Sequence, residues 1–559
     1  MQSMDNTFTP PPMPFGLNGK YKAYVDVLLA IIARLVALVF GYKAKVRALD
    51  DELLVQKGQK KRPTFTGSNL VKKTEKAEAA AAAAARAARP PGEHVAVRRP
   101  RVALAPHTTV RLTVTQPVPP GSVRKGFEYV MTQDVELRVN NILFARERWL
   151  TPDGLSLVAE MPAAYAGGHF GPGLVAYVLG QYFDCHVSQP RLHSQLNDIG
   201  VRISHSQVDV LLNRSIEAFA AEKAKVLRTG LLHSPNITVD DSSAPHMGTT
   251  GIVTNISGSA FASFHSSQSK SRLNFLEVFH AGQARYTVND AALRYMAEHG
   301  LSPKLVVLLR ENQGKGSLES LQSLLTRLGV TGDVNRRIVT EAALWGALKG
   351  KLHPMLAVVS DGAQQFVLDG QRHGLCWVHS ERLVAVLLPV NDAQRADQER
   401  VCDGIWALFR ALRAYKKQPS LEQAALLDAQ FDQVFQQETS FPELNAQLAL
   451  LYEHKNDLLL VLRRPDVPLH TNQSETDIRD FVHKRKVSGR TRGPKGRLRR
   501  DVHMSLKQTC RKLGVSFWVY LKDRISGTNA IAPLEQLVKA RIDELAAANP
   551  LVLIPHPMS

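Results

Sequence analysis

"NITVDDSSAPHMGTTGIVTNISGSAFASFHSS", residues 236–267, sets the fold class of this chain. Its first six residues form a short apolar strand that ends in two acids, Asp240 and Asp241. β-Branched and aromatic residues return in "GIVTNISG" and "SAFASFHSS", which read as a hairpin pair running beside that strand. A second apolar strand, "MLAVVSDG" (355–362), again ends in an acid, Asp361. Between the two, "LESLQSLLTRLG" and "RRIVTEAALWGALKG" repeat apolar residues at three and four, so helices alternate with sheet. The expectation is a multidomain α/β plus α protein.

The 559 residues exceed one simple core and call for several folded units. Residues 1–74 read as a Pro-rich tail followed by an apolar and then charged helix, a candidate oligomerisation arm. Its stretch "YVDVLLAIIARLVALVFGY" (24–42) is interrupted by Asp26 and Arg34, which favours an oligomerising or buried helix over a membrane span. Residues 75–94 are an Ala/Pro linker, and 95–160 carry the short strand patterns of a small β-rich module. Residues 161–232 are helical: "SHSQVDVLLNRSIEAFAAEKAKVLR" reads as one helix with Ser204 as N-cap. The "IGVRIS" before it has the length of a helix-turn-helix connection, and DNA binding and an ordinary bundle both fit. The α/β part continues over 233–380, a helical block fills 381–463, a helix with a basic run occupies 464–530, and 531–559 are a C-terminal helix and tail.

Lys and Arg number 70 against 51 Asp and Glu, a formal charge of +19 that favours polyanionic partners, nucleic acid before an acidic membrane surface. The four cysteines form no CxxC pair, so neither a disulfide framework nor a zinc site is signalled, and a reducing cytoplasm fits.

Acids closing two neighbouring strands, with a third acid on a later helix, are a donor set for hard divalent cations such as Mg2+ or Mn2+. Asp240, Asp361 and Glu475 are the candidates. Two such ions about 3.5–4 Å apart activate an attacking oxygen and stabilise the leaving oxygen of a phosphodiester. Each acid also has an ordinary reading: Asp240 and Asp361 as turn starters, Glu475 as a surface partner of Arg479 at i,i+4. Behind Glu475, Lys484, Arg485, Lys486, Arg490, Arg492, Lys495, Arg497, Arg499 and Arg500 are candidate contacts to DNA phosphates, or else a solvated basic loop. Alternation along the strand turns Asp240 and Asp241 to opposite faces.

"NITVDDSSAP", "VVSDGAQQF" followed by "LCWVHSERL", and "PLHTNQSETDIRDFVHKRKVSGRTRGPKGRLRRD" with "SLKQTCRKLGVSFWVYLKDRI" closely resemble, in that order, DDE transposases of the insertion sequence sixty-six family, over residues 160–527. The resemblance implies a ribonuclease H-like catalytic core with a helical insertion, here preceded by helical and small β-rich N-terminal modules. It also implies a magnesium-dependent triad falling on Asp240, Asp361 and Glu475, which would hold a pair of Mg2+ or Mn2+ ions. Cys376, Trp377 and His379 match the family's Cys-Trp-x-His block and Asn472 matches the Asn before the Glu. Packing is the expected role of Cys376 and Trp377, while His379, Asn472 and Asp241 are candidate active-site support. The chain departs from the family pattern in having no cysteine before Cys185.

The same resemblance implies a bacterial, nucleoid-associated enzyme that binds the terminal repeats of its own element, cuts the 3′ ends and joins them to target DNA. Expected partners are DNA, further copies of the chain at synapsis and accessory proteins of the element, without a membrane. A catalytically silent DNA-binding descendant, or a nuclease or resolvase with the same metal chemistry, are the competing readings.

Overall fold

The structure, a computed structural model, describes residues 105–166, 168–367, 372–549 and 553–554. The candidate arm at 1–74 and the linker at 75–94 lie outside the described residues.

Where the sequence predicts a β-rich module over 95–160, the described part forms one short hairpin, β1 (Arg148–Leu150) antiparallel to β2 (Ser156–Val158). Val110, Leu112, Tyr129 and Val130 upstream of it are exposed. Strand propensity reflects fit to a half-buried pleated surface, and these side chains have no such surface to cover. Four helices come next: α1 (Pro172–Phe183), α2 (Gln189–Asp198), α3 (His205–Leu212) and α4 (Ile216–His233). Ser204 caps α3 in a full capping box, its side chain accepting from Gln207 N while Gln207 Oε1 accepts from Ser204 N. The single helix expected from Ser204 to Arg228 is instead two, broken where Ser215 takes a left-handed φ of 54°.

The sheet begins with an antiparallel meander, β3 (Asn236–Ser243), β4 (Ile252–Ser257) and β5 (Ala262–Ser267). The chain then leaves it through α5 (Arg272–Phe279), the small pair β6 (Tyr286–Val288) and β7 (Gly314–Gly316), and helices α6 (Asp290–Glu298), α7 (Pro303–Glu311), α8 (Leu318–Arg327) and α9 (Asp333–Leu348). It returns with β8 (Ala357–Ser360) and β9 (His373–Leu375), both parallel to β3. The five strands lie in the order β5-β4-β3-β8-β9. A parallel neighbour requires a crossover of this kind, because a tight turn joins only antiparallel strands.

The expected helical block is α10 (Trp377–Ala385), α11 (Asp392–Tyr415), α12 (Leu421–Phe435), α13 (Pro442–Glu453), α14 (Lys455–Leu458) and α15 (Leu460–Arg463). It has its own apolar cluster, centred on Trp377, Phe409, Phe431 and Leu448. α16 (Asn472–Ser488), α17 (Pro494–Lys512), α18 (Phe517–Ser526) and α19 (Leu534–Ala548) complete the chain. Phe183, Phe219, Leu231, Val239, Phe264 and Phe481 belong to one shared cluster, so the helices before the sheet and those after the block pack on the same core as the sheet itself. Among the described residues no helix is long and apolar enough to cross a membrane.

Candidate active site

The register of the sheet positions the first two acids. Thr238 of β3 pairs with Val359 of β8 in parallel, so two residues further on Asp240, inside β3 where its pairing with β8 has ended, stands level with Asp361, just past the end of β8. The strand expected to end at the two acids runs on to Ser243, because β4 pairs with it that far. Gly362 makes the exit after Asp361 with a φ of +92°, and a Cβ there would come within 2.8 Å of Leu375. Only glycine adopts that turn at no cost, and Ala363 N donates to Asp361 Oδ1 at 3.1 Å to close it.

Glu475 arrives from the opposite direction, in the first turn of α16. That helix is docked on β4 by Asn255, which is fully buried opposite Asp240 in the register and donates from Nδ2 to Ser474 O at 3.1 Å. One turn on, Ser257 Oγ donates to Asp477 Oδ2 at 2.6 Å, and Lys512 of α17 meets the same carboxylate at 2.8 Å. Asn255, Ser257, Asp477 and Lys512 thus position Glu475, although none of them was assigned a role from sequence. Asp477 and Lys512 lie within the stretches that carry the family resemblance, and Asn255 and Ser257 are polar residues set within the strand "GIVTNISG".

These acids act on one another electrostatically. Burial pushes Asp240 up to about 7, with the carboxylates of Glu475 and Asp361 adding to the rise and His379 opposing it. His379 Nε2 stands 3.9 Å from Glu475 Oε1. Burial opposes charge on His379, but the Cys376 sulfur and Glu475 outweigh it and hold the imidazole up to about 9. Cys376, buried under Thr471 N and Oγ1 at 3.4 Å each, is correspondingly lowered against the effect of its burial. Asp241 is turned to other partners: it accepts from Thr254 Oγ1 at 2.6 Å and from Gln365 Nε2 at 3.2 Å. Asn472 opens α16 one turn before Glu475, its backbone N–H directed at His470 Nδ1.

The donor set fits a hard divalent cation by its chemistry. Three carboxylates repel one another in a half-buried setting, and Glu475 Oε1 is buried without a hydrogen-bond partner. Among the described residues no three His, Cys, Asp or Glu side chains already stand in a closed metal-holding arrangement. The acids share one field without completing a coordination shell.

The basic run divides by exposure. Lys486, Arg490, Arg492 and Lys495 are exposed, and Arg485 and Arg497 partly so. Three of the expected phosphate contacts are corrected. Lys484 is fully buried, its ammonium 3.2 Å from the centre of the Tyr182 ring and directed to Val187 O at 3.3 Å. Arg500 is buried and donates to Gly489 O at 2.9 Å, and Arg499 pairs with Asp209 of α3 at 2.6 Å. The reason is the packing of α17 along β5, where Ser266 N donates to Asp501 Oδ2 and Phe264 N to Ser505 Oγ, both at 2.8 Å. That contact draws the end of the run into the core.

Burial, then Arg500, Lys507 and Arg499, depress Lys484 to about 6. A lysine depressed in the fold binds fewer protons there than in the unfolded chain. Its penalty is therefore full below about pH 6 and fades as pH rises toward its ordinary value near 10.4. Lys484→Met should stabilise the protein by about 1–3 kcal/mol at neutral pH, and more at pH 5.5 than at pH 9, while leaving DNA affinity unchanged. Denaturant melts at the two pH values, with a binding titration, check it; a weaker DNA complex would return Lys484 to the interface.

Residues 358–497, which include Asp361, the helical block, Glu475 and the loop of Arg490 and Arg492, match the family described as Transposase IS66 family. Asp240 lies outside that span. A protein of Sinorhizobium fredii (strain NBRC 101917 / NGR234), described as Uncharacterized protein y4jO, is 40% identical over 324 residues, 56% of this chain and 100% of its own length. No solved structure matches.

Proposed function

Because the chain belongs to the IS66 family of transposases, we propose that it binds the ends of a mobile DNA element and catalyses their metal-dependent cleavage and transfer to target DNA. The observation that carries this reading is the parallel register of β3 and β8, which sets Asp240 beside Asp361 under the Glu475 end of α16. The sheet order, with three antiparallel strands followed by two parallel to the first, supports the ribonuclease H-like core that the resemblance implies.

Asp240, Asp361 and Glu475 would hold magnesium or manganese, which supplies Lewis-acid activation of the attacking oxygen and charge stabilisation of the leaving one. The chain's own part is positioning. The sheet fixes Asp240 within β3 and Asp361 just past the end of β8, and the Asn255–Ser474 and Ser257–Asp477–Lys512 bonds hold the helix that carries Glu475. His379, raised to about 9 and 3.9 Å from Glu475, would keep a positive charge facing it and meet the scissile phosphate. Lys486, Arg490, Arg492 and Lys495 hold the backbone on either side. Two element ends brought together call for at least two copies of the chain; accessory proteins of the element and a place on the nucleoid belong to the same proposal.

The exposed arginines have a separate test. Arg490→Ala with Arg492→Ala should reduce the slope of log affinity against log salt by about 2 and weaken binding to all duplexes alike. An unchanged slope in filter-binding titrations from low to moderate salt would remove both residues from the phosphate contact.

The function itself is tested by incubating the protein with duplexes carrying candidate element ends, with magnesium or manganese and with chelator. Cleaved and joined products that need the metal are expected. Nicked but unjoined products would favour the nuclease reading, and tight binding without product the silent one.

A further inference from the structure

The turn between β3 and β4 reaches the basic loop between α16 and α17 from a distance of over two hundred residues in sequence. Met247 N donates to Thr491 O at 3.0 Å, and His246 Nδ1 lies 2.7 Å from Thr491 Oγ1. The turn is closed on itself by Thr249, whose N–H and Oγ1 both donate to His246 O. Its two crown residues, Met247 and Gly248, have φ of 47° and 81°. Glycine and asparagine suit that doubly left-handed crown, whereas methionine in it costs about 1 kcal/mol or more. The strained residue is also 61% exposed, so no burial offsets the strain.

Between the two loops is a concavity of about 520 Å³, with Met247 and Gly248 on one side and the stretch from Ser488 to Arg492 on the other. Ser488 Oγ, on its wall, is buried without a hydrogen-bond partner, and so is Arg485 Nη1 one turn earlier on α16. Guanidinium donors, a hydroxyl and glycine-rich backbone around a hollow suit an acceptor-rich anion of phosphate size. An apolar side chain raised beside such a seat suits the space between stacked bases next to the phosphate.

We infer that the β3–β4 turn is a second DNA-contacting element, in which one backbone phosphate sits in the concavity shared with the α16–α17 loop while Met247 enters the neighbouring base step. His246 acts as a positioning residue, holding the turn to Thr491 so that wedge and seat keep a fixed spacing. The inference rests on the DNA-binding reading proposed for the chain and adds to it a local distortion of the duplex at a defined distance from the seated phosphate.

The experiment places 2-aminopurine at successive positions of an element-end duplex and follows its fluorescence on binding of the full chain. Wild type should raise the signal at one or two adjacent positions, because unstacking relieves quenching. Met247→Ala should abolish that rise while affinity changes by less than about tenfold, since lost contact and avoided unstacking offset each other. Thr491→Val should spread or weaken the rise with the wedge still present. An undiminished rise in Met247→Ala, or no rise in a wild-type complex that binds with normal salt dependence, would overturn the inference and leave the DNA-binding reading intact. Absence of any salt-dependent binding would instead defeat the DNA-binding reading on which it rests.

Discussion

Asp361→Asn should leave the protein folded and bound to DNA while lowering strand cleavage and joining by on the order of 10²–10³-fold or more. The asymmetry arises from where the residue stands. Asp361 is exposed at the end of β8 and its only described structural task is to accept Ala363 N–H, which the amide oxygen of Asn still does. The apolar strand beneath it, Ala357 through Val359, is fully buried and untouched. What the substitution removes is a carboxylate charge that acts on Asp240 and, on the proposed reading, a ligand for a divalent cation. Single-turnover cleavage beside a binding titration and a thermal melt separates the outcomes. Loss of binding in step with loss of cleavage would mean that the acid is structural.

The second large effect is on stability. Trp377→Ala should cost about 3–5 kcal/mol, because the indole is wholly enclosed within the apolar cluster of the helical block. Its Nε1–H donates to Leu458 O at 3.0 Å, its backbone N–H donates to Leu469 O, and its ring packs edge-on against Phe431 and Phe435. Trp377→Phe keeps most of the area and loses the hydrogen bond, so it should cost less, about 1–3 kcal/mol. Hydrogen exchange should show the loss concentrated in α10 to α15, the elements that share the Trp377 cluster. Since α10 also carries His379, activity should fall with occupancy of the folded block. A cost under about 1 kcal/mol for Trp377→Ala would show that the block is held elsewhere.

The strands that make the site were legible because their signals are local. "NITVDD" and "MLAVVSDG" are apolar runs of strand length followed by acids, and the structure makes strands of both, β8 ending before Asp361 but β3 running two residues past Asp241 to Ser243. The parallel pairing that sets Asp240 level with Asp361 was not legible, because a crossover through α5 to α9 leaves no periodic trace of register. The basic run was read as one surface for a similar reason. Charge composition cannot tell Arg490, exposed in a loop, from Lys484, which the packing of α16 against α1 places over Tyr182. Of the strands expected over 95–160, the described residues form β1 and β2; upstream of them propensity is present, but side chains such as Val110 and Tyr129 have no face to bury. The break at Ser215 turns on one left-handed residue that the helical spacing on either side conceals.

The central claim is that Asp240, Asp361 and Glu475 act as one divalent-cation site. Titration of the purified protein with Mn2+, followed by the loss of the free-ion electron paramagnetic resonance signal, tests it without requiring turnover. Wild type should bind Mn2+ in competition with Mg2+, and Asp240→Asn, Asp361→Asn and Glu475→Gln should each weaken binding by about tenfold or more. Unchanged Mn2+ affinity in Glu475→Gln would contradict the account, leaving two acids on the sheet and a helix that carries its glutamate for another purpose.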